Sequence, residues 1–366
     1  MHKISFLELN NQKKHLDIVS PKKFYKSKKK NCEICESSKL EILQNVGRIG
    51  SPLEYGRLII VICKKCGHKF INPIYEDKFY KYYYNKIYRK IAFGDMTPSK
   101  KYLYYQKKRG QGVYNFFSKK IKTNNNMFLD HGCASGLTMI PWTKKWKCYG
   151  IDPHRPSVNY GNKKLKLNIK CSYGEKLPFK KNFFDVVLSL GSLEHSYDIK
   201  KSMKELVRTL KINGYLIIRW RSNNLIGSPL EYYNHNHYRF FSKETWNSLL
   251  KKFGFLSIQH FNDNVEGYES YSYILAKLNK KKLDYNYKNE KNVYRREIDK
   301  YTKYLNNYYL KCLKLKKKLD NEDSYVKRKN FIKKNKVYLL NVGEKTAINR
   351  FCDEALSFLN YVKIKN

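Results

Sequence analysis

Four of the nine cysteines form two pairs, Cys32-x2-Cys35 and Cys63-x2-Cys66, with 27 residues between them. Each CxxC places two thiolates on one tight turn, and two such turns supply the four sulfurs that Zn2+ binds tetrahedrally. Gly67, directly after Cys66, is where a knuckle often needs a permissive backbone. A closed four-sulfur site leaves no coordination position for substrate, so zinc held by Cys32, Cys35, Cys63 and Cys66 is expected to be structural. The β-branched run Arg57-Leu58-Ile59-Ile60-Val61-Ile62 feeds the second knuckle, and the whole reads as a zinc ribbon. His68 is expected to be exposed and not a fifth ligand. Cys133 and Cys171 are expected as small buried apolar residues.

A second group of residues able to do chemistry follows the short apolar run Met127-Phe128-Leu129. It is Asp130-His131-Gly132-Cys133-Ala134-Ser135-Gly136. Small residues where a strand opens into a helix let a ligand approach the backbone, and the helix N-terminus adds N–H donors. A dinucleotide fingerprint would need glycine at 132, 134 and 137. The chain has Gly132, Ala134 and Leu137, so a dehydrogenase is disfavoured. Asp152 follows 22 residues after Asp130, at the end of Cys148-Tyr149-Gly150-Ile151, where a carboxylate can accept both hydroxyls of a ribose. Taken alone, either aspartate could equally be a helix cap.

The elements that must position these groups divide the chain into four parts. Residues 1–75 hold the ribbon. Residues 76–126 are dense in Tyr, Lys and Phe, and read as two or more helices that pack onto the next domain or cover its cleft as a lid. From 127 to 279, short apolar strands alternate with amphipathic segments, the pattern of βαβ units and a parallel sheet. Strands are expected at Met127–Leu129, Cys148–Ile151, Phe184–Leu190, Tyr215–Trp220, Phe255–His260 and near Tyr271–Leu278. Helices are expected over Lys200–Leu210, ended by Asn213-Gly214, and over Lys243–Phe253. Residues 280–366 form a Lys-rich, mostly helical extension, with apolar periodicity around Tyr301–Leu315 and Ala355–Val362.

In sequence order, Ser172-Tyr173-Gly174-Glu175-Lys176-Leu177-Pro178-Phe179, Phe183-Phe184-Asp185-Val186-Val187, Ser192-Leu193-Glu194-His195 and Glu205-Leu206-Val207-Arg208-Thr209-Leu210-Lys211-Ile212-Asn213-Gly214 follow the Asp130 turn. Together they resemble the class I S-adenosylmethionine-dependent methyltransferases, in the small-molecule branch, over residues 127–260. His237-Tyr238-Arg239-Phe240-Phe241-Ser242 matches a further family stretch. The resemblance implies an α/β Rossmann-like sheet. It places the methionine end of the cofactor at Asp130, Gly132, Ala134 and Gly136, the ribose at Asp152, the adenine at Tyr173, Gly174 and Glu175, and the sulfonium between Leu190 and Gly191. Ala134 stands where the family usually has glycine, and Tyr173 where many members have aspartate. His195 is the first choice for the base that deprotonates an O-acceptor, with His237 and His235 as competitors. Glu194 is expected to orient backbone groups.

The ribbon ahead of this core resembles methyltransferases of surface polysaccharides and nucleotide-sugars, so the expected acceptor is a sugar or glycan precursor, or another small molecule. Sugar C-methyltransferases share a four-Cys front end but continue into a second large domain that this chain looks too short to hold. No Asn- or Asp-Pro-Pro-aromatic turn follows the central strand, and no proline precedes a cysteine, which argues against amino and ring-carbon methylation of bases. The 75 Lys and Arg against 31 Asp and Glu, net +44, leave two further partners open: a nucleic acid gripped by the basic flanks and ribbon, or an anionic membrane face. A non-catalytic binding module on the same fold is a third reading. The 15% aromatic content excludes a wholly disordered chain. No run reaches the ~18–20 apolar residues of a membrane span and residues 1–30 lack a secretory core, so a cytoplasmic protein is expected.

Overall fold

A computed structural model describes residues 27–46, 58–82, 84–85, 98–123, 125–222, 238–263, 271–280 and 292–320. The front of the chain supplies β1 (Ser27–Lys28), β2 (Leu40–Val46), β3 (Leu58–Cys63), β4 (Lys69–Ile71) and β5 (Ile74–Tyr75), followed by helices α1 (Asp77–Tyr82) and α2 (Lys100–Phe117). Then come β6 (Met127–His131), β7 (Lys147–Asp152), α3 (Arg155–Lys164), β8 (Ile169–Cys171), β9 (Phe184–Leu190), α4 (Ile199–Thr209) and β10 (Leu210–Arg221). After them lie β11 (Arg239–Phe240), α5 (Lys243–Lys252), β12 (Phe255–Asn262), β13 (Tyr271–Leu278) and α6 (Val293–Asp320). The expected segment Ala355–Val362 lies outside the described residues. No helix among the described residues is long and apolar enough to cross a membrane.

The main sheet has seven strands in the order β12-β13-β10-β9-β6-β7-β8. Strands β6 to β10 are mutually parallel, and β13 runs antiparallel to both β10 and β12. All seven residues of β9 are buried, as a central strand covered on both faces requires. Side chains cap the helices that cover it: Asp198 accepts from the Lys201 N–H at the start of α4, and Ser242 and Thr245 bond each other's backbone at the start of α5.

One expected element differs. No α-helix opens after the Gly132–Gly136 turn; residues Ile140–Lys144 form a 3-10 turn instead. Pro141 is the reason, because a proline inside a helix loses an N–H and collides with the carbonyl four residues back. The helix expected over Lys200–Leu210 is found at Ile199–Thr209. Leu210 already pairs with Phe184, and Asn213, at φ +64°, lies in the irregular stretch before pairing resumes at Tyr215–Val186.

The second sheet has the order β11-β4-β3-β2, so its fourth strand comes from residues 239–240, far along the chain from the other three. The two sheets share one core. Ile34, Val61 and Phe70 of the ribbon are continuous with Leu206, Trp246, Leu249 and Phe255. Trp246 stacks on Phe241 at 3.9 Å between ring centroids. His68 sits in the same layer, 4.8 Å from the Phe241 ring, completely buried with neither ring nitrogen hydrogen-bonded. This corrects the expectation that His68 is exposed: an aromatic face is needed there to join two sheets, and burial holds its pKa down at about 4, in the neutral form. Helix α6 closes the other side of the ribbon, with Glu297 paired to Lys69 and the Tyr294 hydroxyl donating to Glu41 at 2.8 Å.

Because the core is common, Trp246→Ala is expected to cost about 3–5 kcal/mol and to lower the stability of ribbon and sheet together. Hydrogen exchange in denaturant checks this. Ribbon peptides that keep full protection after the sheet opens would contradict a shared core.

Candidate active site

The strand order reverses at β6. Strands β7 and β8 lie to one side of it and β9 and β10 to the other, so their connections diverge and leave a crevice beyond the carboxyl ends. The predicted cofactor residues are brought together there. Gly132, Ala134 and Gly136 all have positive φ, at +76°, +50° and +80°. A Cβ on Gly132 would lie 2.3 Å from the Ser192 Cβ, so the loop after β9 crosses directly over that glycine. Ala134 carries its methyl group in a left-handed conformation that costs an L-residue about 1–2 kcal/mol. Its N–H donates to Asp152 Oδ2 at 2.8 Å, while the His154 N–H donates to Oδ1 at 2.8 Å. The Asp152 carboxylate thus orders the turn, and two of its roughly four acceptor positions stay available for ribose hydroxyls.

Asp130 is buried and accepts a hydrogen bond from the Thr138 hydroxyl. Burial pushes its pKa up to about 7, opposed by that hydrogen bond and by the Arg109 guanidinium. Arg109 comes from α2 and was not identified in the sequence. The signal was Gly110 beside it: a Cβ there would lie 2.7 Å from the Thr138 Cα, so only glycine lets the helix backbone come this close to the turn.

His131 is the second residue that the sequence reading missed. Its Nδ1 lies 3.1 Å from Ser192 Oγ, which itself donates to the His131 carbonyl at 2.5 Å. The single Ser192 proton is thereby used, so His131 must donate from Nδ1, leaving Nε2 as a bare acceptor. Nε2 is buried without a partner and occupies the space a Cβ on Gly174 would take, 2.2 Å away. Gly174 is required by this imidazole. On either side of it, the Tyr173 hydroxyl accepts from Asn85 Nδ2 at 2.9 Å, and Glu175 Oε1 accepts from the Asp198 N–H at 3.2 Å. The turn expected to face adenine is therefore fastened to the segment after α1 and to the start of α4.

At the tip of β9, Leu190 is buried and Gly191 has φ +66°. The nearest atom to a Cβ built on Gly191 would be Glu194 Oε1 at 4.0 Å, so this glycine borders open space. Glu194 and His195 lie on a 3-10 turn, Leu193–His195, at that mouth. Glu194 Oε2 is buried with no hydrogen-bond partner, and burial raises the pKa of the carboxyl to about 7. Its Oε1 lies toward Gly191 at that mouth, and the carboxylate also bonds its own backbone N–H. His237 and His235 lie outside the described residues.

The four ribbon cysteines converge, with all four Sγ atoms within 4.8 Å of one another. Cys32–Cys66 and Cys35–Cys63 are 3.4 and 3.5 Å apart, well beyond a disulfide bond. Four thiolates around Zn2+ at 2.3 Å stand about 3.8 Å apart, so this donor set and spacing fit zinc. Cys133 is buried, whereas Cys171 is exposed at the end of β8, correcting its expected burial: β8 is the edge strand.

Residues 129–218 match the family model of a methyltransferase domain. The reversed sheet with its antiparallel β13 is the Rossmann-like fold of the class I S-adenosylmethionine-dependent methyltransferases. The chain is similar to a ubiquinone biosynthesis O-methyltransferase of Pelagibacter ubique, 34% identical over 100 residues, 26% of this chain and 41% of that protein. It is also similar to ajmaline N-methyltransferase of Rauvolfia serpentina, 32% identical over 106 residues, 26% of this chain and 36% of that protein. The chain thus spans less than half the length of these curated relatives. Among solved structures, the YcgJ protein of Bacillus subtilis aligns over 46% of this chain and 99% of its own, with 16% identity and a TM-score of 0.39.

Gly191→Ala is expected to fold, at a cost of about 1–2 kcal/mol for the left-handed alanine, and to lose binding of S-adenosylhomocysteine; retained binding would move the cofactor away from the β9 tip. Asp152→Ala should abolish the thermal shift given by the same ligand, and a wild-type shift would remove the ribose assignment. If Asp130 takes the ligand's ammonium, binding requires the ionised carboxylate, so affinity should fall by up to about tenfold per pH unit below about 7 and level off above it. Calorimetric titration across that range checks the slope, and a flat profile would contradict the role of Asp130.

Proposed function

We propose that the chain is an S-adenosylmethionine-dependent methyltransferase that methylates a hydroxyl of a small molecule, a sugar or glycan precursor above all. The observation that carries this reading is the pair of buried carboxylates, Asp130 and Asp152, at the tips of adjacent strands across a turn with three left-handed residues, Gly132, Ala134 and Gly136. Such a turn admits a ligand to the backbone, and the two acids match the ammonium and ribose ends of one nucleoside-like molecule. The sulfonium supplies the activated methyl group. The chain's own residues would do the rest: orient the acceptor hydroxyl toward that methyl and take up its proton as the methyl passes from sulfur to oxygen.

Glu194 and His195, on one short turn close to Gly191, are our candidates for taking that proton. The names of the relatives support an O- or N-methylated small-molecule acceptor. The four-cysteine front end, by its resemblance to polysaccharide and nucleotide-sugar methyltransferases, supports the sugar. The four cysteines hold a structural zinc in this reading.

Labelled methyl uptake into nucleotide-sugar, polysaccharide and RNA fractions tests the substrate class, and uptake into RNA alone would overturn it. A carboxylate base ionises as pH rises, so the transfer rate should climb to a plateau above about pH 7. Glu194→Gln is expected to lower the rate about 100-fold and remove that rise, with binding of S-adenosylhomocysteine unchanged. If instead His195→Ala removes the rise and Glu194→Gln keeps it, the imidazole is the base.

A further inference from the structure

Four successive carbonyl oxygens, on the turn that carries Glu194 and His195, are held by two neighbouring side chains. The Tyr238 hydroxyl donates to the His195 carbonyl. Arg239 Nη1 donates to the carbonyls of Glu194 and Ser196 at 3.1 and 2.5 Å, and Nη2 to that of Tyr197 at 3.1 Å. The remaining guanidinium donors go to a different part of the molecule: Nε and Nη2 donate to Glu33 Oε2 and Oε1 at 2.5 and 2.8 Å. An arginine has five N–H donors in one rigid plane and no acceptor. All five of those of Arg239 are used, and its side chain is only 1% exposed.

Glu33 is the residue between Cys32 and Ile34, inside the first knuckle. The main chain of Arg239 pairs with Phe70 on β4, the strand that leaves the second knuckle. The guanidinium thus ties the first cysteine turn to the turn at the mouth of β9, while the main chain of the same residue pairs with the strand that follows the second. The cofactor residues Asp130, Gly132, Gly136 and Asp152 make none of these bonds. We infer that Arg239 is a positioning residue through which the zinc-bound four-cysteine site fixes the Glu194–Tyr197 turn, and with it the rate of methyl transfer but not the affinity for cofactor.

The physical chain is short. Without a cation, two knuckles held together by four sulfurs within 4.8 Å lose their tie, and Glu33 loses its seat. A rigid planar fork cannot follow a displaced carboxylate and still reach three fixed carbonyls, so buried acceptors are left without donors and the turn relaxes. The effect on transfer rests on the methyltransferase reading above; the effect on the turn does not.

Hydrogen exchange of the full chain tests it, with peptides covering residues 193–198 read before and after zinc is stripped by a chelator and restored. In the wild type, stripping should speed exchange there by about tenfold or more, well beyond any change it causes in β6 and β9 through the shared core, and zinc should restore protection. Arg239→Lys keeps the charge and loses the fork, so its exchange should already be fast and should no longer respond to zinc. Should Arg239→Lys fail to fold, Glu33→Gln, which keeps the shape of the partner, takes its place with the same expectation. Methyl transfer should fall about tenfold in either variant, while the Kd for S-adenosylhomocysteine stays within about twofold. A turn that ignores zinc in the wild type, or responds equally in wild type and variant, overturns the proposal. Failure of zinc-loaded wild type to bind S-adenosylhomocysteine would instead overturn the methyltransferase reading, leaving the exchange result to judge the coupling.

Discussion

The reversal of strand order at β6 is the constraint from which the site follows. Two neighbours, β7 and β9, lie on opposite sides of β6, so the segments that follow them diverge at its carboxyl end. The groups assigned to the cofactor sit on these three strands and the loops that follow them, and on the Tyr173–Glu175 turn after β8. The loop after β9 then crosses back over Gly132, where Ser192 takes up the space beside the glycine. The crevice and its floor are set by the same crossing.

Most of the residues that carry the family resemblance hold the scaffold. Arg208 donates to the carbonyls of Phe179 and Leu177 at 2.7 and 2.9 Å, and Glu205 accepts from the Leu177 N–H at 2.7 Å. This fork clamps the Leu-Pro-Phe stretch onto α4 and so fixes the Tyr173–Glu175 turn just before it. Asp185 accepts from the Met127 N–H at 2.9 Å and from Lys211, joining the starts of β6, β9 and β10. A motif of this kind records how a crevice is braced, which is why it identifies a cofactor class and says little about an acceptor.

The strands and the four-cysteine cluster were legible in the sequence because each depends on local pattern. Phe184–Leu190 and Tyr271–Leu278 are found with the bounds read from their apolar runs, since a fully buried strand has one continuous signature. Other features depend on contacts that no local pattern carries. His68 is buried because Phe241, remote in the chain, lies against it. Arg109 and His131 matter through Gly110 and Gly174, glycines whose reason appears only when a second segment is brought against them. The four-cysteine segment looked self-contained in sequence, but the fourth strand of its sheet is supplied by residues 239–240.

That borrowed strand has a consequence for the order in which the molecule can be completed during translation. Glu33 meets Arg239 across 206 residues, and Lys69 meets Glu297 across 228. The four-cysteine segment must therefore wait, with β4 and its buried lysine uncovered, until Arg239 and then Glu297 have left the ribosome. Early capture of a metal ion by the two knuckles would give that waiting segment a compact form before its permanent cover arrives.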